Sequence, residues 1–219
     1  AAVIDEQELI DFDISCKPPS TKEDCKITEV LSRLSLAKTP LIVAGHGIRL
    51  SGMKNTFLDI LKNLNIPVVT TFNGFDLLNE DTPQYIGRIG TIGQRAGNFA
   101  LQNADLVLFL GTRNNIRQIS YNWENFARNA YKIVVDIDKA ELEKPLVKPD
   151  MAIHADLADF LPLLKESLTS IDKPQWLTFC RDLKERYSFG NTKEYSQTGD
   201  KINVYYFVRR LTELMSEND

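Results

Sequence analysis

The sequence predicts an α/β fold, a doubly wound Rossmann-like parallel sheet of about five to six strands with helices on both faces. Three observations carry this. Short apolar or β-branched runs recur at residues 41–44, 66–71, 106–110, 133–135 and 151–156. Stretches with apolar residues at helical spacing lie between them. Glycine or acidic turns stand directly after the runs, at Gly45-His46-Gly47, Gly111-Thr112 and Asp136-Ile137-Asp138. A run apolar at every position, such as Leu106-Val107-Leu108-Phe109-Leu110, belongs to a parallel strand covered on both sides. In such sheets ligands bind beyond the carboxyl ends of the strands.

Composition narrows the function classes. The chain has 219 residues, 43% hydrophobic and 26% charged, which is ordinary for a globular protein that buries a substantial core. Net charge is −4, and Lys184, Arg186 and Lys193 are interleaved with Glu185 and Glu194, so no nucleic-acid surface is expected. Cys16, Cys25 and Cys180 show no metal or redox spacing, which fits a reducing, cytoplasmic setting. His46 and His154 stand far apart without cysteine partners, so no metal site is expected. No apolar run approaches ~18 residues and no leader pattern is present, so no membrane association is expected.

In chain order, residues 1–20 read as a linker, with Pro18-Pro19 unable to continue a helix. Ser20 or Thr21 is the expected cap of a helix whose stripe is Ile27, Val30, Leu31 and Leu34. Leu41-Ile42-Val43-Ala44 is the first strand, followed by a glycine turn and a helix carrying Phe57, Ile60, Leu61 and Leu64. The second strand spans 66–71, with Pro67 tolerated at its start. A glycine-rich stretch then runs from Gly87 to Gly93, and a short helix from Gln94 to Asn103. After the 106–110 strand, Trp123, Phe126 and Ala127 suggest a helix through Asn129. Ile133-Val134-Val135 and 151–156 are further strands, and Asp156 caps a helix with Phe160, Leu161 and Leu164 inward. Trp176, Phe179, Cys180 and Leu183 form an amphipathic helix, residues 188–201 read as a linker, and a last helix begins near Ile202.

The candidate site lies at the strand ends. Gly45 and Gly47 let the backbone turn and a ligand approach, but the next glycine, Gly52, comes two residues late for GxGxxG. No acid ends the second strand, which argues against a nicotinamide-dinucleotide domain. Arg113 and Arg117 suit a phosphate, because the guanidinium fork matches its oxygens. Of the two acids at this strand end, Asp136 and Asp138, one suits a ligand hydroxyl and the other a helix cap.

These motifs resemble the central domain of thiamine-diphosphate-dependent enzymes of the acetolactate synthase type. Lys38-Thr39-Pro40-Leu41-Ile42-Val43-Ala44-Gly45-His46-Gly47 looks like that domain's opening strand and turn. Ile66-Pro67-Val68-Val69-Thr70-Thr71 looks like its second strand, and Gly87 through Gly93, with Asn98 and Ala100, is similar to its glycine segment. Ala104-Asp105 through Arg113 is similar to its most recognisable strand and loop, and Val135-Asp136-Ile137-Asp138 to its strand ending in Asp-Ile-Asp. The resemblance covers about residues 21–168.

The resemblance implies a division into a linker from an N-terminal domain (1–20), a central Rossmann-like domain (21–170), a helix and linker (171–201) and the start of a C-terminal domain (202–219). The absence of an initiator Met and the stop just after a helical pattern lead to the same expectation, a middle piece of a longer protein. Parent enzymes of this type bind thiamine diphosphate with Mg²⁺ between N- and C-terminal domains of paired subunits, as homodimers or homotetramers. An N-terminal glutamate and a C-terminal Gly-Asp-Gly do that work, so no catalytic residue is expected in this chain. The middle domain of such enzymes holds FAD, ADP or nothing. The residues that match its cofactor-binding positions are Gly45, His46, Gly47, Gly90, Thr91, Gly93, Arg113, Arg117, Asp136 and Asp138. This chain has Asn114-Asn115-Ile116 where the family usually carries Phe-Asp-Asp, and Ile92 where it commonly has histidine. The choice among FAD, ADP and an empty scaffold therefore stays open, as do the alternatives of an NAD-binding oxidoreductase domain and a ligand-free interaction module.

Overall fold

Alternation along β1 (Pro40–Ala44) explains the architecture of the computed structural model, which describes residues 25–188 and 200–216. Ile42 and Ala44 join one buried cluster, while Leu41 and Val43 join another on the opposite face. Helix α1 (Ile27–Leu36) precedes β1, and α2 (Gly47–Leu50) and α3 (Lys54–Leu61) follow it, with Val30, Leu34, Ile48, Phe57 and Ile60 on the first face. Residues one apart on a strand serve opposite layers, so every buried strand needs apolar residues throughout.

The remaining elements repeat the scheme. A two-residue strand β2 (Leu64–Asn65) leads to β3 (Val68–Thr70) and β4 (Tyr85–Arg88). Next come α4 (Arg95–Asn103), β5 (Leu106–Leu110), the single turn α5 (Ile116–Ile119) and β6 (Tyr131–Asp136). Then follow α6 (Lys139–Glu143), β7 (Met151–His154), α7 (Leu157–Ser167), β8 (Ile171–Asp172) and α8 (Pro174–Arg186). The last is α9 (Val204–Leu214), capped by Asn203 and exposed along its length. The main sheet is parallel, in the order β4-β3-β1-β5-β6-β7, and β2 pairs with β8 in a small sheet of its own. Helices α1, α3 and α7 supply one layer, and α4 and α8 the other. This is a doubly wound Rossmann-like sheet, as expected.

Several local expectations need correction. α1 begins at Ile27, with Lys26 before it in the left-handed region at φ 47°, so the cap is not Ser20 or Thr21, which lie outside the described residues. Leu64 belongs to β2 rather than to the helix before it, because the chain leaves α3 after Leu61 to pair with Ile171. The start of the glycine-rich stretch is a sixth strand of the main sheet, β4. Gly87 disguised it: its φ of 133° suits only glycine, and the ladder to β3 shifts register beside Val69. The stretch around Trp123 forms a 3-10 turn (Trp123–Asn125) instead of a helix, because Ala127 sits at φ 48° and its side chain is buried against the sheet.

Helix α8 buries Trp176, Leu177 and Cys180, and Phe179 stays half exposed, stacked on Trp176 at 5.6 Å. The Trp176 indole N–H donates to the Pro40 carbonyl at 2.9 Å, which ties α8 to the start of β1. Burial pushes the Cys180 thiol up to about 12. The thiolate is the reactive form, so native chain at pH 8 is expected to spare Cys180 from iodoacetamide, and urea to expose it. Peptide mass spectrometry checks this, and fast native labelling of Cys180 would contradict it.

Candidate functional site

The strand order reverses between β1 and β5, and the carboxyl ends of all six strands meet there in a crevice of about 1020 Å³. Such a switch point is where open α/β sheets bind ligands, because neighbouring loops diverge to opposite faces. The volume sits at the top of the roughly 300–1,000 Å³ usual for small-molecule and cofactor sites.

The glycine turn after β1 is shaped first by the protein itself. The Gly45 N–H donates to the Leu110 carbonyl at 2.9 Å, and the Gly47 N–H to the Gly111 carbonyl at 3.0 Å. A Cβ on Gly45 would lie 2.2 Å from the Gly111 oxygen, and one on Gly47 would lie 2.7 Å from the Gly111 Cα. Gly93 likewise abuts the Arg88 carbonyl, where a Cβ would come within 2.6 Å. Gly45 and Gly93 are therefore explained by close backbone packing and stand outside the crevice wall, whereas His46, Gly47, Gly90 and Thr91 line it.

Hydrogen bonds fix these lining groups. The His46 ring pairs through Nδ1 with the Asn73 carbonyl at 3.0 Å. That carbonyl can only accept, so Nδ1 carries a proton in this pairing. Asn98 of α4 clamps Gly90, accepting from its N–H at 2.9 Å and donating to its carbonyl at 3.1 Å. Thr91 donates to the Arg117 carbonyl at 2.8 Å, joining the loop after β4 to the loop after β5.

The loop after β5 holds the charge. Arg113 is largely exposed and its Nε lies 2.6 Å from Glu141 Oε1. The other carboxylate oxygen of Glu141 accepts from Lys144 at 2.9 Å. Burial raises the Glu141 carboxyl, but the hydrogen bonds from Lys144 and Arg113 outweigh it and hold the group below the usual glutamate value. Among the described residues no hydrogen-bond or ion-pair partner reaches the Arg117 guanidinium, which also lines the crevice.

The acidic pair after β6 divides its work. Asp138 caps α6 by accepting from the Ala140 N–H at 2.9 Å. Asp136 is 7% exposed and accepts from the Asp138 N–H at 2.9 Å, with its carboxylate in the crevice wall. Burial raises its pKa above the ordinary value; the Asp138 N–H opposes this, and the charges of Glu141 and Asp138 add to it. A carboxylate in that position has acceptor capacity to offer a ligand hydroxyl.

Two parts of the site were not foreseen. One is the buried network in which Gln118 donates to Asn114 at 3.1 Å, with Asn114 held at φ 45° beside Thr112. The other is Glu141. The spacing Asp138-Lys139-Ala140-Glu141 is a capping-box signal that marks a helix start, but it does not say that the glutamate turns to Arg113 instead. Among the described residues no group of three or more His, Cys, Asp or Glu side chains is placed to hold a metal ion, and no helix is long and apolar enough to cross a membrane.

Comparison with known proteins gives the same picture from a separate direction. Residues 27–164 match the family described as thiamine pyrophosphate enzyme, central domain. The acetolactate synthase large subunit of Lactococcus lactis subsp. lactis (strain IL1403) is 36% identical over 167 residues, covering 76% of this chain and 29% of the relative. The acetolactate synthase isozyme 2 large subunit of Escherichia coli (strain K12) is 28% identical over 188 residues, 86% of this chain and 33% of that protein. A probable acetolactate synthase large subunit of Methanococcus aeolicus is 33% identical over 201 residues, 92% of this chain and 30% of the relative. The chain thus spans about a third of the length of these relatives.

Proposed function

The chain belongs to the thiamine pyrophosphate enzyme central-domain family, and we propose that it is the nucleotide-holding middle domain of an acetolactate synthase-like enzyme acting on 2-keto acids. The ligand class is a nucleotide with an ADP moiety, either FAD or ADP itself. The single observation that carries this is the crevice, whose lining includes a buried acceptor, Asp136, and the Arg117 guanidinium, which no hydrogen-bond or ion-pair partner reaches among the described residues. Asp136 would take a ribose hydroxyl. Arg117, joined by Arg113, would meet the phosphates, with the backbone at Gly47 and Gly90 leaving room for close approach.

The chemistry of the whole enzyme would come from thiamine diphosphate, which would supply an electron sink for breaking and forming carbon–carbon bonds at a keto-acid carbonyl. Thiamine diphosphate and Mg²⁺ would be bound by N- and C-terminal segments on either side of a central domain at 21–170, with 1–20 and 171–201 as connections and 202–219 opening the C-terminal domain. Assembly as a homodimer or homotetramer and a cytoplasmic location belong to the same reading. This chain's own residues hold and orient a nucleotide; they carry no step of the reaction.

A thermal-shift screen of the chain against FAD, ADP, CoA and NAD⁺ tests the reading. A ligand at 100 times its Kd stabilises by about 2.7 kcal/mol. A shift with FAD or ADP is expected. A shift with NAD⁺ alone would favour an oxidoreductase domain, and none with any of the four would favour a ligand-free scaffold. The scaffold reading has its own support, since Arg113 is already paired with Glu141 and Gly45 and Gly93 pack closely against protein backbone.

Asp136→Asn separates stability from binding. A raised carboxyl pKa means that the native state holds a proton which the unfolded state has released, so stability falls as pH rises from 3.8 through the native value. Removing that cost is expected to raise the Tm at pH 7. The gain should vanish as pH drops below 3.8. Nucleotide affinity should fall about tenfold with the loss of a charged acceptor. Melting curves at both pH values and a titration with ADP check the two halves, and a lower Tm at pH 7 would contradict the first.

A further inference from the structure

We propose that Glu141 and Lys144 set the strength of phosphate binding at this crevice. Glu141 competes with an incoming phosphate for Arg113, and Lys144 keeps Glu141 neutralised when Arg113 leaves it. The inference rests on the nucleotide reading above only for the ligand's phosphate, not for its base or sugar.

The geometry is asymmetric in a way that suggests exchange. Glu141 is 14% exposed and fixed, Lys144 is 25% exposed, and Arg113 is 74% exposed. Each carboxylate oxygen has its own partner, Oε1 with Arg113 at 2.6 Å and Oε2 with Lys144 at 2.9 Å. Lys144 also donates to the carbonyls of Arg113 and Asn114, so it is tied to the loop while the Arg113 side chain stays in solvent. Arg113 can therefore swing its charge to a phosphate without leaving Glu141 unpaired, which is the usual penalty for breaking such a contact. Without Lys144, Arg113 would be the sole counter-ion of Glu141 in this cluster and would be held in place. Glu141 is in this sense a specificity-determining residue, because its charge, together with Asp136 and Asp138, disfavours any anion that cannot capture Arg113 outright. Lys144 is a positioning residue that touches no ligand.

The test follows the Arg113 Nε–H resonance in ¹⁵N-labelled chain titrated with inorganic pyrophosphate, for the native sequence, Glu141→Gln, Lys144→Met and Lys144→Arg. Glu141→Gln is expected to tighten pyrophosphate roughly fivefold, the scale of an exposed ion pair removed from competition. Lys144→Met should weaken it by a similar factor, and Lys144→Arg should restore it. Unchanged affinity in both Glu141→Gln and Lys144→Met, or an Arg113 resonance that never responds, overturns the proposal. If Lys144→Met does not fold, the Glu141→Gln arm decides alone. A pyrophosphate response at Arg113 with no binding of FAD or ADP would sink the nucleotide reading and leave this inference standing. Nucleotide binding with no effect of either variant would do the reverse.

Discussion

Gly45→Ala is expected to cost about 4 kcal/mol or more, enough to unfold much of the population in a protein of ordinary stability. Overpacking a core usually costs about 1–3 kcal/mol, because side chains shift to make room. Here the new methyl group would meet the Gly111 carbonyl oxygen at 2.2 Å, its carbon at 2.6 Å and the Thr112 Cβ at 2.8 Å. These are backbone or backbone-anchored atoms. Gly111 cannot retreat easily, since its own Cα is packed against Gly47 and its φ is 59°. Gly52→Ala is the control. Gly52 sits at φ 74° with nothing within 4 Å of a Cβ, so only the conformational cost of about 1 kcal/mol applies. Urea denaturation of the two variants compares them directly. Equal midpoints would show that the contact between the loops after β1 and β5 is not the constraint on Gly45.

Phe109→Ala is expected to cost about 3–5 kcal/mol. Phe109 is fully buried in β5, which pairs with β1 on one side and β6 on the other. Its ring lies 6.0 Å from Phe126 and faces the α4 and α8 layer, so its loss leaves a cavity that two neighbouring strands prevent from closing. The urea midpoint should fall with little change in slope. A variant as stable as the native chain would mean that this face is loosely packed.

Legibility in the sequence followed local chemistry. β5 could be read because five consecutive apolar residues admit few alternatives, and α7 because Asp156 precedes a stripe of Phe160, Leu161 and Leu164. β4 could not, since Gly87 replaces the residue type that marks a strand and the register slips beside it. The turn at Trp123 is hidden because apolar spacing alone does not reveal that Ala127 adopts a left-handed backbone. The site divided along the same line. The residues at strand ends, His46, Gly47, Arg113 and Asp136, announce themselves by following apolar runs, and Gly90 by the density of glycines around it. The ion pair of Arg113 with Glu141 joins residues 28 apart in the chain, so it depends on tertiary packing that no local pattern reveals. Gly45 and Gly93 show the opposite limit, for a glycine pattern looks the same whether it makes room for a ligand or for the protein's own backbone.

The proposed occupant of the crevice at the strand ends is an ADP-type nucleotide. The most direct test is a backbone amide NMR titration of the chain with ADP. Concentrated shifts at Gly47, Gly90, Gly111 and Asp138 are the expected result, since these residues line the crevice or hold its wall. Amides that stay unmoved at millimolar ADP, or that move only along α8, would contradict it.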